Sequence, residues 1–159
     1  MPLSPEVAFE QNRERLLSVI YLRMGRNLRV RMDPEDVLQE VAIEAFRSWQ
    51  TLTEEQNASA WLVTLARRKV ARILRDQLGV AARDPRREHA LQTDLPLADR
   101  RTGPVSSADR KDRLALLEDA MQRLSTHHRE VIILMKIEGL SAREVGDKMD
   151  RTETVSYTH

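Results

Sequence analysis

The sequence predicts an all-α protein in which two small helical domains are joined by a flexible linker. Leu, Ala, Arg and Glu dominate the composition, and these residues favour helices. The five glycines, two Phe, two Tyr and two Trp are too few for a glycine-rich phosphate loop or a typical all-β core. Apolar residues recur at steps of three and four in two blocks, and the stretch between the blocks lacks this period.

Composition also narrows the functional class. The 26 Lys and Arg against 25 Asp and Glu give a net charge of +1, so only the distribution of charge can indicate nucleic acid. No cysteine is present, and no apolar run is long enough for a signal peptide or a membrane span, so we expect a cytoplasmic protein. No nucleophile paired with a histidine and no metal-ligand spacing can be assembled. The sequence therefore predicts neither enzyme activity nor a metal or cofactor.

Three helices are predicted in the first block. Apolar residues predict helix one over Pro5–Met24. Asp33 can cap helix two, because Pro34 and further acids occupy the first turn. Helix three is predicted from Ala58 to Gln77. Its outer stripe places an aromatic ring and three guanidinium groups in a row: Trp61, Thr64, Arg68, Arg72 and Arg75.

The charges of helices two and three are opposite. Five acids and no base lie between Asp33 and Phe46, whereas five bases and one acid lie between Trp61 and Asp76. Solvation is the ordinary fate of acids on a helix face, but the exposed aliphatic Ile43 among them indicates a docking surface. The arginines of helix three also have a simpler explanation, since they can serve only to pair with neighbouring acids and to interact with the helix dipole. A unit of this kind can bridge a protein surface and a nucleic acid.

Periodicity fails from Gly79 to Asp109, where three prolines and two glycines occur and five bases balance five acids. This stretch is predicted to be a flexible linker. A second helical block follows from Arg110, and its first helix is expected to bury one stripe: Leu114, Leu117, Met121 and Leu124.

The end of the second block has a helix-turn-helix pattern. Gly139 can end one helix, and Ser141 with Glu144 forms a capping box that starts the next. Small residues at Ala142 and Gly146 suggest a close helix crossing, and a tight turn is expected at residues 150–152. The second helix of such a motif can enter the major groove of DNA. A helical hairpin that does not bind DNA could also produce this pattern.

Together, three segments resemble bacterial RNA polymerase sigma factors of the extracytoplasmic-function (ECF) group. They are Asp33-Pro34-Glu35-Asp36-Val37-Leu38-Gln39-Glu40-Val41, Ala60-Trp61-Leu62-Val63-Thr64-Leu65-Ala66-Arg67, and Leu124 through Thr154. The resemblance implies a region 2-like domain at residues 1–78, a linker at 79–109 and a region 4-like helix-turn-helix domain at 110–159. It implies core RNA polymerase and promoter DNA as partners, an anti-sigma factor in many members, and a monomeric free chain.

The resemblance also assigns site residues. Docking on the coiled coil of the polymerase clamp falls to Asp36, Gln39, Glu40, Ile43 and Glu44. Contact with the melted -10 element falls to Trp61, Thr64, Arg67, Arg68, Arg72 and Arg75. Contact with the -35 element falls to Arg143, Lys148, Arg151, Thr152, Glu153 and Thr154.

Three departures from the family pattern are visible, the smallest being Gly146 at a position where Ala is common. The polar pair that often reads bases on helix three is absent, since Ala66 is followed by Arg67 and Arg68. The family continues after Thr154 through a basic recognition helix, so the C-terminal residues are expected to form a truncated or altered one. The alternative functions are a stand-alone helix-turn-helix transcriptional regulator, and a helical adaptor or decoy that binds polymerase without reading DNA.

Overall fold

The computed structural model describes residues 3–53, 56–83 and 105–157; the side chains of 78–83, 105–107 and 151–157 lie outside that description. Within these ranges the secondary structure is helical and contains no β-strand, which confirms the all-α class. None of the described helices is both long and apolar enough to cross a membrane. The helices are α1 (Pro5–Arg29), α2 (Pro34–Ser48), α3 (Ala58–Arg83), α4 (Val105–Gln122), α5 (Thr126–Ile132) and α6 (Ala142–Tyr157), with a 3-10 turn at Trp49–Thr51 and a π-helical turn at Ile133–Ile137.

Helices α1, α2 and α3 form one bundle around a shared apolar core. Its largest fully buried side chains are Leu16, Ile20, Leu38 and Leu62. Val63 of α3 is also buried in this core. Phe46 is 44% exposed, but its ring packs edge-on against Phe9 at a centroid distance of 5.9 Å. The bundle therefore holds the acidic α2 and the basic α3 side by side.

The start of α2 follows local chemistry. The Asp33 side chain accepts a hydrogen bond from the backbone N–H of Glu35 at 2.9 Å, and Pro34 occupies the first helical turn. Proline loses nothing there, because its missing N–H would have had no partner within the helix. The predicted cap is confirmed, and it fixes where the acidic face begins.

A kink at Gly25 divides α1 and lets it continue to Arg29, beyond the predicted end at Met24. Gly25 has φ 73° and ψ 168°, a conformation that is nearly restricted to glycine. After the kink, Leu28 is buried in the bundle, while Arg26 and Arg29 face the second block.

We predict that Gly25→Ala destabilises the protein by about 1–3 kcal/mol, because alanine must adopt this strained backbone conformation. Space does not limit the substitution, since nothing lies within 4 Å of an added Cβ. Urea unfolding followed by circular dichroism measures the change. Gly146→Ala is the matched control: its Cβ also meets nothing, and alanine in this exposed helix should stabilise by about 0.5–1 kcal/mol. Equal stability of the Gly25→Ala variant and the wild type would contradict the strain argument.

Both ends of the predicted linker are helical. Helix α3 continues to Arg83, beyond the predicted helix end at Gln77, and α4 begins at Val105, before the predicted start of the second helical block at Arg110. The remainder of the linker prediction, residues 84–104, lies outside the described residues.

The buried face of α4 differs from the predicted stripe. Leu114 and Met121 are buried as expected, but Leu117 and Leu124 are 37% and 36% exposed, and the carboxylate residue Glu118 is buried in their place. Arginines of α1 pair with Glu118, so the buried face of α4 includes an ion-pair contact as well as apolar residues.

The helix-turn-helix prediction is only partly matched. Gly139 has φ 79° and the N–H of Glu144 donates to the Ser141 hydroxyl at 3.2 Å, as the end and cap signals predict. The expected tight turn at residues 150–152 is wrong, because α6 runs without interruption to Tyr157. No Gly or Pro occurs there to break the helix. The close crossing at Ala142 and Gly146 is also wrong, since both residues are exposed.

Candidate functional site

The acidic face of α2, comprising the five predicted docking residues, lies on the outer surface of the bundle. Asp36, Gln39 and Glu40 are exposed, and Ile43 is 52% exposed although it is a large aliphatic residue. Glu44 is half-buried beside them. The structure thus brings the predicted set together on one helix face that presents negative charge around an apolar centre.

A shallow depression of about 340 Å³ lies at the edge of this face, between α2 and α3. It is lined by Glu40, Ile43, Glu44, Arg47 and Lys69. Glu40 forms an ion pair with Lys69 at 3.0 Å, yet its side chain remains 52% exposed. Because the Glu40 end of the pair is open to solvent, which weakens the attraction, this contact leaves Glu40 able to engage a cationic partner.

Three arginines, Arg68, Arg72 and Arg75, form the basic stripe of α3. All three are exposed, and none makes an ion pair with another described residue. Their helical spacing of three and four places the guanidinium groups along one line. Such a line of exposed charge can follow the phosphates of a nucleic-acid strand.

The other predicted -10 contacts are more enclosed. Trp61 is half-buried and packs edge-on against Trp49, with ring centroids 5.7 Å apart. Thr64 is also half-buried, and its hydroxyl donates to the carbonyl of Ala60 at 2.9 Å. Among these predicted -10 contacts, the exposed positive charges therefore lie on the basic stripe, while the indole of Trp61 contributes partly to core packing.

Arg67 turns away from the basic stripe and enters a cluster with residues that sequence reasoning did not connect. Its guanidinium donates to Glu138 at 3.0 Å, and Arg23 donates to the other oxygen of the same carboxylate at 2.9 Å. The Glu138 side chain is only 1% exposed. Burial opposes the charge on Arg23, but the carboxylates of Glu138 and Glu130 outweigh it and raise the pKa of Arg23. We call Arg23, Glu138 and Arg67 the clasp.

The π-helical turn places Glu138 in this position. The N–H of Glu138 donates to the carbonyl of Ile133, five residues earlier, at 2.9 Å. One such wide turn shifts the helical register, and π-turns are often found at functional sites. Glu138 consequently faces α1 and α3 rather than solvent.

A second ion cluster joins the two blocks beside the clasp. Arg26 and Arg29 of α1 both pair with Glu118 of α4, and Arg26 also pairs with Asp119. The guanidinium of Arg29 also lies 3.8 Å from the centroid of the Tyr21 ring. The second block is therefore docked on α1 through charged residues.

The predicted -35 residues differ in exposure, and the side chains of most of them lie outside the described residues. Arg143 is exposed in the first turn of α6. Lys148 is half-buried; burial lowers the pKa of Lys148, and Arg67 lowers it further, whereas Glu138 acts in the opposite direction. The last four residues of the set lie on the helical backbone of α6, but their side chains are outside the described residues: Arg151, Thr152, Glu153 and Thr154.

The sequence patterns did not predict that arginines of α1 form ion pairs with the buried Glu118 and Glu138. One signal was available for the arginines, since Arg23, Arg26 and Arg29 recur at steps of three along the sequence. Glu118 and Glu138 also fall at apolar-stripe positions of their helices. A carboxylate in such a position predicts a buried ion pair, but not the identity of its partner.

Comparison with known proteins agrees with the geometry of the first bundle. Residues 8–78 match the family Sigma-70 region 2. The chain is 32% identical over 112 residues to the RNA polymerase sigma factor CarQ of Myxococcus xanthus, an alignment that covers 70% of this chain. The chain covers 59% of that relative's length. No solved structure matches significantly. The resemblance to sigma factors is thereby confirmed, and residues 8–78 are the part of the chain that matches Sigma-70 region 2.

Proposed function

We propose that the chain is an ECF-type sigma factor that binds core RNA polymerase and directs it to promoters. The observation that carries this proposal is the pair of opposite surfaces on one region 2 bundle. The acidic face of α2 exposes Ile43 among carboxylates, and the basic stripe of α3 exposes three arginines. The relative from Myxococcus xanthus, whose name describes an RNA polymerase sigma factor, supports the same assignment.

Each surface suits one partner. The acidic face would dock on a basic helical surface of the polymerase clamp, with Ile43 as the apolar anchor and Glu40 as the central charge. The basic stripe would hold the melted -10 strand, because single strands are bound by positive grooves and by stacking on aromatic rings. Arg143 and the end of α6 would contact the -35 duplex. The chain would contribute binding rather than catalysis, as a cytoplasmic monomer when free.

Transcription from a library of genomic fragments tests this function and does not require the promoter sequence to be chosen beforehand. Core polymerase is incubated with the fragments in the presence or absence of the chain, and transcript 5′ ends are sequenced. We expect start sites that depend on the chain and share two upstream sequence elements. An identical set of start sites with and without the chain would contradict the proposal.

A further inference from the structure

A cavity of about 510 Å³ lies between the two helical blocks, beside the kink at Gly25. Pockets that bind small molecules typically measure about 300–1,000 Å³ and often lie between domains or between helices. Both blocks contribute to the apolar lining of this cavity: Leu22, Met24, Leu28, Leu74, Met121 and Ile133. The cavity is therefore large enough, and apolar enough, to enclose the body of a small organic molecule.

The lining of the cavity carries an excess of positive charge. Three arginines contribute to it, namely Arg26, Arg31 and Arg129. Of the described residues that line the cavity, Glu118 is the only acid, and it already pairs with Arg26 and with Arg29 of α1. Its charge is thus balanced within the protein and does not neutralise the other two arginines of the lining.

Those two arginines, Arg31 and Arg129, form no ion pair with another described residue. Arg31 is exposed, and its guanidinium donates to the side-chain oxygen of Gln77 at 3.2 Å. Arg129 is half-buried and donates to the backbone carbonyls of Met121 and Leu124 at 3.2 and 3.4 Å. Each guanidinium has five N–H groups, so both arginines retain donors for an anion. A partly desolvated guanidinium without a carboxylate partner favours such binding.

The apolar walls select an aliphatic body for that anion. No aromatic side chain occurs among the described lining residues, so a planar ring or a nucleobase would have no stacking partner there. Met24 and Met121 are unbranched and flexible, and such side chains adapt readily to an alkyl chain. Carboxylates are the anions that a planar guanidinium can bind through two parallel hydrogen bonds.

We propose that this cavity is a binding site for an aliphatic carboxylate. The alkyl chain packs against the apolar walls, and Arg31 and Arg129 supply the positive charge for the carboxylate. None of the residues that line the cavity belongs to the predicted polymerase-docking or DNA-binding sets. The site therefore adds a small-molecule ligand to the proposed function and does not depend on it.

Isothermal titration calorimetry of the full chain with decanoate, below its critical micelle concentration, tests the site. Decyltrimethylammonium has a tail of the same length and the opposite charge, so it reports non-specific binding of an alkyl chain. Arg31→Gln removes one proposed cation, and Leu74→Trp fills part of the cavity without changing its charge. Arg123→Gln removes an exposed arginine that does not line the cavity and is the matched control.

We expect saturable binding of decanoate with one site per chain, and affinity for decyltrimethylammonium at least about tenfold lower. Arg31→Gln should weaken decanoate binding about tenfold, since a hydrogen bond to a charged group is lost. Leu74→Trp should weaken it by about tenfold or more, because less apolar surface is available to the alkyl chain. Arg123→Gln should bind as the wild type does. Circular dichroism verifies that each variant retains its helices.

Methionine methyl groups give the location of the ligand independently of any substitution. The chain has six methionines, and Met24 and Met121 line the cavity from opposite blocks. In methyl-¹³C-methionine NMR, decanoate should shift the signals of these two and leave those of Met135 and Met149, which lie outside the lining, unchanged.

Three results would overturn the site: no saturable binding of decanoate, equal affinity for the two probes, or undiminished binding by both folded cavity variants. Shifts at Met135 or Met149 without shifts at Met24 and Met121 would also refute it. None of these measurements uses polymerase or DNA, so a failure here is distinct from a failure of the proposed function.

Discussion

Charge reversal at Glu40 is expected to weaken association with core RNA polymerase by about 100-fold, equivalent to about 3 kcal/mol. Glu40 lies at the centre of the acidic face and keeps 52% of its side chain exposed. A lysine there would oppose the basic surface that the acidic face is proposed to contact. The measurement is a binding titration of labelled chain with core polymerase, comparing the wild type with Glu40→Lys.

Two controls separate docking from folding and from net charge. Glu10→Lys makes the same charge change at an exposed position of α1 and should bind polymerase as the wild type does. Lys69→Ala removes the ion-pair partner of Glu40 but leaves the acid in place, so binding should persist. Undiminished binding by a folded Glu40→Lys variant would refute the docking assignment.

The double substitution Arg68→Ala with Arg72→Ala is expected to reduce promoter opening by about tenfold or more. Both arginines are exposed on the basic stripe, and no described residue pairs with them, so their removal should leave the bundle intact. Each lost contact to a single-strand phosphate lowers the dependence of log affinity on log salt by about 0.7. The slope should therefore fall by about 1.4 for the pair.

Permanganate footprinting of a promoter found by the transcription experiment measures promoter opening across a salt series. Arg123→Ala with Arg15→Ala removes two other exposed arginines, which lie outside the predicted binding sets, and controls for the loss of positive charge. Arg15 donates to the Ser59 hydroxyl, so the stability of this control is measured in parallel. An unchanged opening efficiency and salt slope in the Arg68 and Arg72 variant would exclude the basic stripe from the single-strand site.

The first bundle could be predicted from sequence because its signals are local. The cap at Asp33, the proline at Pro34 and the helical period of the acids specify α2 and its exposed face within a few turns. The same period placed Arg68, Arg72 and Arg75 on one stripe. Such patterns depend only on residues three or four positions apart, and the structure reproduces them.

The docking of the second block could not be predicted in the same way. The contact from Arg23 to Glu138 joins residues 115 positions apart, and no local period specifies such a pair. The π-helical turn that directs Glu138 inward also has no distinct signal in Ile133–Ile137. Arg67 shows most clearly what sequence patterns miss. Its position in the helix places it beside Arg68, but tertiary packing directs its side chain to the buried carboxylate of Glu138.

Size-exclusion chromatography of the wild-type chain with core RNA polymerase tests the central claim most directly. The sigma-factor account predicts a monomer when the chain is alone and co-elution with polymerase in a one-to-one complex when the two are mixed. A folded chain that elutes apart from polymerase and instead forms a dimer that binds duplex DNA by itself would contradict the account and favour an independent helix-turn-helix regulator.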